Sequence, residues 1–272
     1  ASVSPRLAAS GACPAVAIVP DTRAALGTLA SAVYGTARSR VKLLAITGTN
    51  GKTTSTYLLE AVLRAAGRNP AVIGTVEYRW PGHAEPSPLT TPDTMALHAM
   101  VAVMEKAGAE TAVMEVSSHA VEQNRMAGLT FSGALFTNLT QDHLDYHRDM
   151  EEYFAVKARL FTTPEHGGIM PEGAALAVNV DDVYGARIAD ANPPVLGYGF
   201  RAANAMLRGE ILDQSREGLR LRMTHAGKTW DLASPLVGAF NAYNLLGVQR
   251  SLWPWAWTRA ASGPCRPWAA FR

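Results

Sequence analysis

The pattern of hydrophobic and polar positions changes near residue 41. Residues 1–40 are rich in Ala and Ser and show no strong strand pattern, although residues 24–34 fit a short helix. Residues 41–47 form a compact apolar run of the kind that is buried in a parallel sheet. A Gly-containing turn follows, and apolar positions at helical spacing then extend over residues 57–65. This order predicts a strand, a tight turn and a helix.

Strands and helices continue to alternate beyond this unit. Compact apolar runs predict further strands at residues 70–75, 111–116, 133–139, 174–180 and 195–198. Helical patterns occupy residues 94–107 and 150–161, and a polar, Pro-rich loop is expected at residues 81–93. Strands that alternate with helices at this spacing predict an α/β fold with a doubly wound, mainly parallel sheet.

Residues 209–237 follow a different pattern. Between residues 219 and 223, Leu and Met alternate with Arg, and a turn at Ala226-Gly227 follows. A period of two indicates strands with one buried face. We therefore predict a small β-hairpin region appended to the main sheet.

Residues 251–272 fit neither a helical nor a strand period. Four of the six tryptophans are crowded here, namely Trp253, Trp255, Trp257 and Trp268. We interpret this tail as a frameshifted reading of a GC-rich coding sequence or as a cloning artefact. An intact reading frame across residues 247–250 in the source DNA would contradict this interpretation.

Composition excludes several classes of protein. The chain has 272 residues, of which 48% are hydrophobic and 18% charged, the balance of a soluble globular protein. A net charge of +2 gives no reason to expect nucleic acid as a partner. Cys13 and Cys265 lie at opposite ends, which argues against a disulfide framework. We find no long apolar run and no signal peptide, so we expect no membrane association and a cytoplasmic location.

A candidate phosphate loop follows the first predicted strand. Residues 46–54 read Ile-Thr-Gly-Thr-Asn-Gly-Lys-Thr-Thr. In a strand–loop–helix of this type, backbone N–H groups and the helix N-terminus face a phosphate, Lys52 reaches the outer phosphates and the Thr53 hydroxyl can ligate Mg²⁺. Ile46 occupies the place of the first Gly of the general pattern. The loop predicts a nucleotide but not the reaction.

Acidic and histidine residues follow two further strands at their carboxyl ends, where open α/β sheets bind ligands. Glu115 ends one strand and is either a site carboxylate or a solvated strand terminus. After the other strand, residues 137–147 read Thr-Asn-Leu-Thr-Gln-Asp-His-Leu-Asp-Tyr-His. These groups could ligate Mg²⁺ or cap the following turn, and composition does not separate the two. Without a nearby Cys, a structural zinc site is not expected.

Lys157 lies within a predicted amphipathic helix. Asp149 and Glu152 form a start that resembles a capping box, so the helix is expected over residues 150–161. The positions i, i+3, i+4 and i+7 form one face: Phe154, Lys157, Ala158 and Phe161. A lysine in the middle of an apolar face extends its amine to solvent, pairs with a carboxylate or is chemically modified. All three alternatives stay open at this point.

These motifs together resemble those of the Mur ligases. They are the phosphate loop at residues 47–54, Thr-Thr-Pro-Asp at 90–93, Met-Glu-Val-Ser-Ser-His at 114–119, Phe-Thr-Asn-Leu at 136–139, Asp-His-Leu-Asp-Tyr-His at 142–147, and Gly-Ala-Phe-Asn-Ala-Tyr-Asn-Leu-Leu at 238–246. The resemblance covers about residues 15–248. The third and fifth of these strings, at 114–119 and 142–147, favour the MurE branch, which adds the third amino acid of the peptidoglycan stem peptide.

The resemblance implies an ATP- and Mg²⁺-dependent ligase that phosphorylates the D-glutamate carboxylate of UDP-N-acetylmuramoyl-L-alanyl-D-glutamate before an amine attacks. It implies nucleotide contacts at Gly48, Thr49, Asn50, Gly51, Lys52, Thr53 and Thr54, with Asn241 and Asn244 on the adenine side. It implies catalytic roles for Lys52, Glu115, His143 and Lys157. Magnesium ligands would be Thr53, Glu115, His143 and a carbamoylated Lys157. Muramoyl-peptide contacts would be Thr90, Thr91, Ser117, Gln123 and Arg125.

The resemblance also implies a division of the chain. Residues 1–40 correspond to the end of an N-terminal UDP-binding domain, residues 41–248 to the central ATP-binding domain, and residues 249–272 stand in place of a C-terminal domain that selects the amino acid. We expect meso-diaminopimelate as the third amino acid, with L-lysine as the alternative. We expect a monomer that binds nucleotide and ligates poorly or not at all, which full turnover by the purified chain would contradict.

Three other interpretations compete with this one. A sister Mur ligase or a folylpolyglutamate synthetase would share the phosphate loop and the lysine, but we do not expect it to carry Glu-Val-Ser-Ser-His at 115–119 in this form. A non-catalytic nucleotide-binding remnant is a second possibility, which the flanking DNA would test. A switch GTPase is disfavoured because nothing resembles a guanine-binding Asn-Lys-x-Asp string.

Overall fold

The computed structural model describes residues 18–141, 147–192 and 195–251. Its helices are α1 Thr22–Tyr34, α2 Lys52–Ala65, α3 Thr94–Lys106, α4 Ser118–Glu122, α5 Met150–Ala158, α6 Val183–Ala191 and α7 Ala239–Ser251. Its strands are β1 Lys42–Thr47, β2 Pro70–Ile73, β3 Glu77–Trp80, β4 His83–Pro86, β5 Thr111–Glu115, β6 Phe131–Phe136, β7 Ala175–Asn179, β8 Leu196–Gly199, β9 Leu207–Gln214, β10 Leu219–His225 and β11 Lys228–Ser234. Short 3₁₀ turns occupy Thr36–Arg38, Arg159–Phe161 and Pro164–His166.

The strands of the described residues form one sheet in the order β11-β10-β9-β8-β7-β6-β1-β5-β2-β3-β4. The central strands from β9 to β2 are all parallel, and antiparallel pairs extend the sheet at both edges. This arrangement confirms the predicted mainly parallel α/β sheet. Because the central strands run in one direction, the residues that follow β1, β5 and β6 meet at one edge, which we call the carboxyl edge.

Apolar residues cover both faces of the sheet, as a doubly wound fold requires. In β1, Leu43 and Ala45 point into one hydrophobic cluster, and Leu44 and Ile46 point into the other. Helices α2 and α7 cover the second cluster, whereas α3, α5 and α6 cover the first. Aspartates begin several of these helices, because their carboxylates accept the unpaired first-turn N–H groups: Asp21, Asp93, Asp149 and Asp182.

The expected loop at residues 81–93 is wrong in its first part. Residues 77–86 form an antiparallel hairpin, β3–β4, around Pro81-Gly82, with Gly82 at a φ of 79°. Pro and Gly are frequent in loops, but here they make a tight turn. The hairpin pairs with β2 and is fixed to α2 by Arg79, whose Nε lies 2.9 Å from a carboxylate oxygen of the buried Glu60.

The predicted hairpin at residues 209–237 is larger than expected. Its turn lies at Ala226-Gly227 as predicted, but three strands, β9 to β11, continue the main sheet. In β10 the buried positions alternate with exposed ones, so the period of two identified its buried face correctly. We call β9–β11 the antiparallel extension.

Two terminal parts of the fold bear on the site. Helix α1 packs against α3 and so belongs to the same body as the sheet. Helix α7 runs to Ser251, and its last residues, Gln249 to Ser251, are buried. Residues 249–251, which were predicted to belong to the anomalous tail, therefore continue this helix, and the rest of the tail, from residue 252 onward, lies outside the described residues. No helix of the described part is both long and apolar enough to cross a membrane.

Candidate functional site

Glycines shape the loop between β1 and α2. Gly48 has a φ of 146° and Gly51 a φ of 85°, which L side chains rarely adopt. A Cβ on Gly48 would lie 2.0 Å from Thr137 Oγ1, and one on Gly51 would lie 2.3 Å from Asn244 Oδ1. Both positions therefore require glycine, because the loop is in close contact with β6 on one side and α7 on the other.

The segment after β6 holds this loop in place. The Thr49 N–H donates to the carbonyl oxygen of Asn138 (2.9 Å), and the Asn50 N–H donates to Asn138 Oδ1 (3.0 Å). Thr137 Oγ1 donates to the Asn50 carbonyl oxygen at 2.6 Å. The loop conformation is thus fixed, and the N-terminus of α2 begins directly behind it. A fixed concave loop at a helix N-terminus suits an anion such as a phosphate.

Lys52, the first residue of α2, folds back over the loop. Its Nζ donates to the carbonyl oxygens of Gly48 (3.0 Å) and Thr49 (2.9 Å). Thr54 is half-buried on the same turn of α2. The ammonium group therefore lies on the rim of the cradle, where it can turn toward an outer phosphate.

Glu115 is a buried carboxylate at the end of β5, with a relative exposure of 1%. Its Oε2 accepts hydrogen bonds from Thr53 Oγ1 (2.9 Å) and Thr75 Oγ1 (3.0 Å), and its Oε1 accepts one from the Thr75 N–H (3.0 Å). A Cβ on Gly74 would lie 2.4 Å from Oε1. The alternative of a solvated strand terminus is wrong, since a buried carboxylate needs such compensating donors.

Lys157 is also buried, with a relative exposure of 1%. Its Nζ lies 3.4 Å from Thr47 Oγ1 and 3.3 Å from the Gly48 carbonyl oxygen, under the phosphate loop. Of the three alternatives for this lysine, extension to solvent is therefore excluded. Both Lys52 and Lys157 donate to the Gly48 carbonyl oxygen, so two amines converge on this one acceptor.

Tyr153 is a site residue that the sequence analysis missed. It is fully buried one turn before Lys157, whose Nζ lies 4.7 Å from the centre of its ring. Its hydroxyl lies 3.5 Å from Thr49 Oγ1. The i, i+4 spacing to Lys157 carries this signal, but the apolar character of the neighbouring Phe154, which is half-buried, led to the prediction that Phe154 lies on the buried face.

Two histidines lie near this tyrosine. The His147 ring stacks on Tyr153 with centroids 4.9 Å apart, and His119 lies 6.1 Å from His147. His143, predicted as a catalytic and magnesium-binding residue, lies outside the described residues. In the part of the chain that the structure describes, no three His, Cys, Asp or Glu side chains cluster closely enough to hold a metal ion by themselves.

The predicted muramoyl-peptide contacts lie beside Glu115. Thr91 Oγ1 donates to the Glu115 carbonyl oxygen (2.8 Å) and accepts from the Ser117 N–H (3.1 Å). Arg125 Nη1 donates to the Thr91 carbonyl oxygen (2.6 Å). Arg125 Nε and Nη2 both donate to Gln123 Oε1, at 3.0 and 2.8 Å. These residues therefore form one connected group next to the phosphate loop.

Thr90 is connected to the same group through Thr75, since their Oγ1 atoms lie 3.1 Å apart. Thr75 was predicted as the last residue of a strand and not as a site residue. Thr75 reaches the site because the preceding Gly74 lies close to Glu115. Gly74 and Glu115 are far apart in the chain, so the sequence pattern does not reveal this contact.

Asn241 and Asn244 lie on the other side of the loop, on the first turns of α7. Asn244 Oδ1 is 3.4 Å from Ser55 Oγ, and its Nδ2 donates to Asn241 Oδ1 (3.2 Å). Asn241 Nδ2 donates in turn to the Val237 carbonyl oxygen (2.8 Å). The structure thus brings both asparagines to the start of α2, away from Arg125.

Comparison with known proteins agrees with this geometry. Residues 46–250 match the family described as the Mur ligase middle domain. The chain belongs to the Mur ligase family. Among solved structures, a UDP-N-acetylmuramoyl-L-alanyl-D-glutamate--2,6-diaminopimelate ligase superposes with a TM-score of 0.76 at 28% identity, over 94% of this chain and 50% of the other. The folylpolyglutamate synthase of Mycobacterium tuberculosis, at 18% identity and a TM-score of 0.69, shares the fold.

Curated Mur ligases are more similar in sequence. The UDP-N-acetylmuramoyl-L-alanyl-D-glutamate--2,6-diaminopimelate ligase of Lawsonia intracellularis is 48% identical over 237 residues, which are 85% of this chain and 48% of that protein. The ligase of the same name from Geobacter sulfurreducens is 47% identical over 234 residues, 85% of this chain and 45% of that protein. The chain spans about half the length of these Mur ligases.

Proposed function

We propose that this chain is the central part of an ATP- and Mg²⁺-dependent ligase of peptidoglycan synthesis. The reaction would add 2,6-diaminopimelate to UDP-N-acetylmuramoyl-L-alanyl-D-glutamate, as the names of the relatives state for those proteins. One observation carries the proposal. Glu115 accepts from Thr53 of the phosphate loop through its side chain and from Thr91 through its carbonyl, and Thr91 in turn accepts from Arg125.

This connection supports the proposal, because it joins the glycine-containing loop after β1 to a guanidinium group. Arginine binds carboxylates through two parallel hydrogen bonds, and a glycine-rich loop binds phosphates through backbone N–H groups. A ligase that phosphorylates a carboxylate must bind the nucleotide phosphates and the carboxylate substrate side by side. A protein that only binds nucleotides does not need a carboxylate site.

Magnesium fits the oxygen donors of this site. Thr53 Oγ1 and the Glu115 carboxylate are hard ligands 2.9 Å apart at the carboxyl edge. Bound Mg²⁺ would neutralise charge on the phosphates during transfer. A second ion would be held by Glu115, His143 and a carbamoylated Lys157. Modification of Lys157 would replace one of the two amines that converge on the Gly48 carbonyl with an anionic oxygen ligand.

The proposed reaction has two steps. The D-glutamate side-chain carboxylate attacks the γ-phosphorus of ATP, the bond to the bridging oxygen breaks, and ADP leaves. The amine of the incoming amino acid then attacks the acyl carbon and gives up a proton, and inorganic phosphate leaves. Lys52 would orient the outer phosphates, Arg125 and Gln123 would hold the peptide, and Asn241 and Asn244 would flank the adenine.

Since ATP is the energy source, we place the activity in the cytoplasm. That the protein is a monomer stays a prediction.

Calorimetric titration with ATP and Mg²⁺ tests the nucleotide site. Lys52→Ala removes the ammonium group from the rim, and we expect affinity for MgATP to fall at least about tenfold, the loss typical of a charged hydrogen bond. Lys228→Ala, on the exposed β11, is the matched control and should bind as the original chain does. Equal affinity in all three proteins would refute a phosphate role for the loop.

A further inference from the structure

Helix α1 supports the turn that carries Gln123 and Arg125. A Cβ on Gly27 of α1 would lie 2.4 Å from the Ala127 Cβ, and one on Gly128 would lie 2.4 Å from the Gly27 carbonyl oxygen. The two backbones are therefore in direct contact. The turn is thus held against α1.

His98 of α3 joins this turn by hydrogen bonds to the segment that follows α1. It is fully buried, with Nε2 2.9 Å from the Ala127 carbonyl oxygen and Nδ1 2.5 Å from Thr36 Oγ1. A carbonyl oxygen can only accept, so Nε2 carries the proton and Nδ1 of the neutral ring accepts from the Thr36 hydroxyl. Burial lowers the pKa of His98, although the bond to Ala127 opposes this shift. The lowered pKa favours the neutral form of the ring.

Ser31 of α1 completes the chain of hydrogen bonds, since its Oγ lies 3.4 Å from Thr36 Oγ1. Thr36 Oγ1 therefore contacts both Ser31 Oγ and His98 Nδ1. The resulting series runs from Ser31 through Thr36 and His98 to the Ala127 carbonyl oxygen. It links the segment before β1 to the turn after α4.

The turn itself has an unusual backbone. Asn124 has a φ of 54°, a left-handed conformation that residues other than glycine adopt rarely. Such a conformation persists where the surroundings determine it. Arg125 follows directly, and its guanidinium depends on the turn because two of its donors bind Gln123 Oε1 within it.

We propose that His98, together with Thr36, is a positioning residue that fixes this turn and thereby aims Arg125 at the substrate carboxylate. The ligand in this inference rests on the proposed function. The inference gives the segment before β1 a role in substrate binding. It also explains why a fully buried histidine makes a bond with both ring nitrogens at this place.

His98→Asn and His98→Gln separate the two bonds. The Asn amide ends near the position of Nδ1 and no longer reaches Ala127, whereas the Gln amide reaches the position of Nε2 and keeps that bond. We expect amide hydrogen exchange at residues 124–128 to rise about tenfold in His98→Asn and to return close to the original rate in His98→Gln. His83→Asn, on the exposed β4, is the matched control and should change nothing there.

Binding measurements then separate positioning from a general loss of structure. We expect the dissociation constant of UDP-N-acetylmuramoyl-L-alanyl-D-glutamate to rise about fivefold in His98→Asn, with that of MgATP unchanged. Unchanged exchange in His98→Asn would overturn the inference, as would an equal loss of affinity for both ligands. Arg125→Ala tests the proposed function separately, since unchanged dipeptide binding there would refute its substrate role whatever the exchange rates show.

Discussion

The carboxyl edge and the antiparallel extension belong to one sheet but are built in opposite ways. At the carboxyl edge, polar atoms are buried and bonded to each other, and three glycines leave no room for a side chain: Gly48, Gly51 and Gly74. In the extension, apolar residues of β10 are buried and charged residues face solvent, as in the exposed pair of Arg222 and Asp231. In the turn between β10 and β11, a Cβ added to Gly227 would have no neighbour within 4 Å.

This difference separates a site from a scaffold. The extension is explained by the burial of its apolar face alone. The carboxyl edge is not, because buried carboxylates and amines add little to stability and are expensive when one partner is lost. Such an arrangement is expected where a ligand must be bound, so substitutions should affect ligand binding at the edge and only stability in the extension.

Gly48→Ala should have the largest effect. The added Cβ would collide with Thr137 Oγ1 at 2.0 Å, at a φ of 146°. We expect a loss of about 3 kcal/mol in the free energy of unfolding and no measurable MgATP binding. Gly227→Ala is the matched control, with a φ of 76° and open space around it. It should cost about 1 kcal/mol and leave MgATP affinity unchanged.

Urea denaturation and calorimetry measure both quantities. If Gly48→Ala bound MgATP as well as Gly227→Ala does, the close packing at the carboxyl edge would not serve nucleotide binding. The proposed difference between the carboxyl edge and the extension would then be contradicted.

Glu115→Gln should have the next largest effect. Thr53 and Thr75 donate hydrogen bonds to the two carboxylate oxygens of Glu115. The amide of Gln keeps one of these acceptors but replaces the other oxygen with an NH₂ group, which cannot accept. We expect ATP affinity to lose most of its dependence on Mg²⁺, measured by titration with and without the ion. Glu217→Gln, on an exposed turn, is the control. Full Mg²⁺ dependence in Glu115→Gln would exclude Glu115 as a ligand.

The sequence predicted most of the parallel core, because buried strands and amphipathic helices have characteristic periods. The hairpin at residues 77–86 was missed, since Pro81-Gly82 is compatible with an open loop as well as a tight turn. The additional strand of the extension was missed because Leu207–Gln214 shows no regular alternation of burial. Both errors lie at sheet edges, where tertiary pairing decides the structure more than local pattern does.

The sequence predicted those parts of the site that depend on local pattern and missed those that depend on tertiary contacts. The phosphate loop follows one predicted strand and Glu115 lies at the carboxyl end of another, so the parallel sheet brings them to one edge. Thr75 and His98 carry no such signal, since their roles arise from contacts with residues distant in sequence. Tyr153 had a signal, its spacing from Lys157, which the apolar character of Phe154 obscured.

Asp181 holds the segment between β8 and β9, which leads into the extension, and its replacement tests the scaffold half of the comparison. Its buried carboxylate accepts from the N–H groups of Phe200 (2.7 Å) and Ala202 (2.6 Å) and from the Tyr243 hydroxyl (2.8 Å). Burial alone would raise the pKa of Asp181, but these bonds outweigh it and hold the pKa below its usual value of 3.8. Asp181→Asn should lower the free energy of unfolding by about 2 kcal/mol at pH 7.

The pH dependence gives this prediction its sign. Because the folded pKa lies below the unfolded one, the carboxylate stabilises the fold above the unfolded pKa of 3.8, and this contribution is lost as the pH falls through the folded pKa. The difference between the two proteins should therefore shrink below pH 3.8, as measured by urea denaturation from pH 7 downward. A constant difference would contradict the role of the charge. Asp213→Asn, exposed on β9, is the control.

The exposed pair of Arg222 and Asp231 should give the smallest effect. Its two hydrogen bonds, at 2.9 and 3.2 Å, join facing positions of β10 and β11. The arginine lowers the pKa of Asp231, but both side chains are more than two-fifths exposed, so water and salt screen the interaction. In a double-mutant cycle with Ala, we expect the coupling to move the thermal midpoint by less than about 1 °C and to vanish in high salt. A coupling comparable to the effect of Asp181→Asn would mean that surface charge, and not the buried apolar face, holds the extension together.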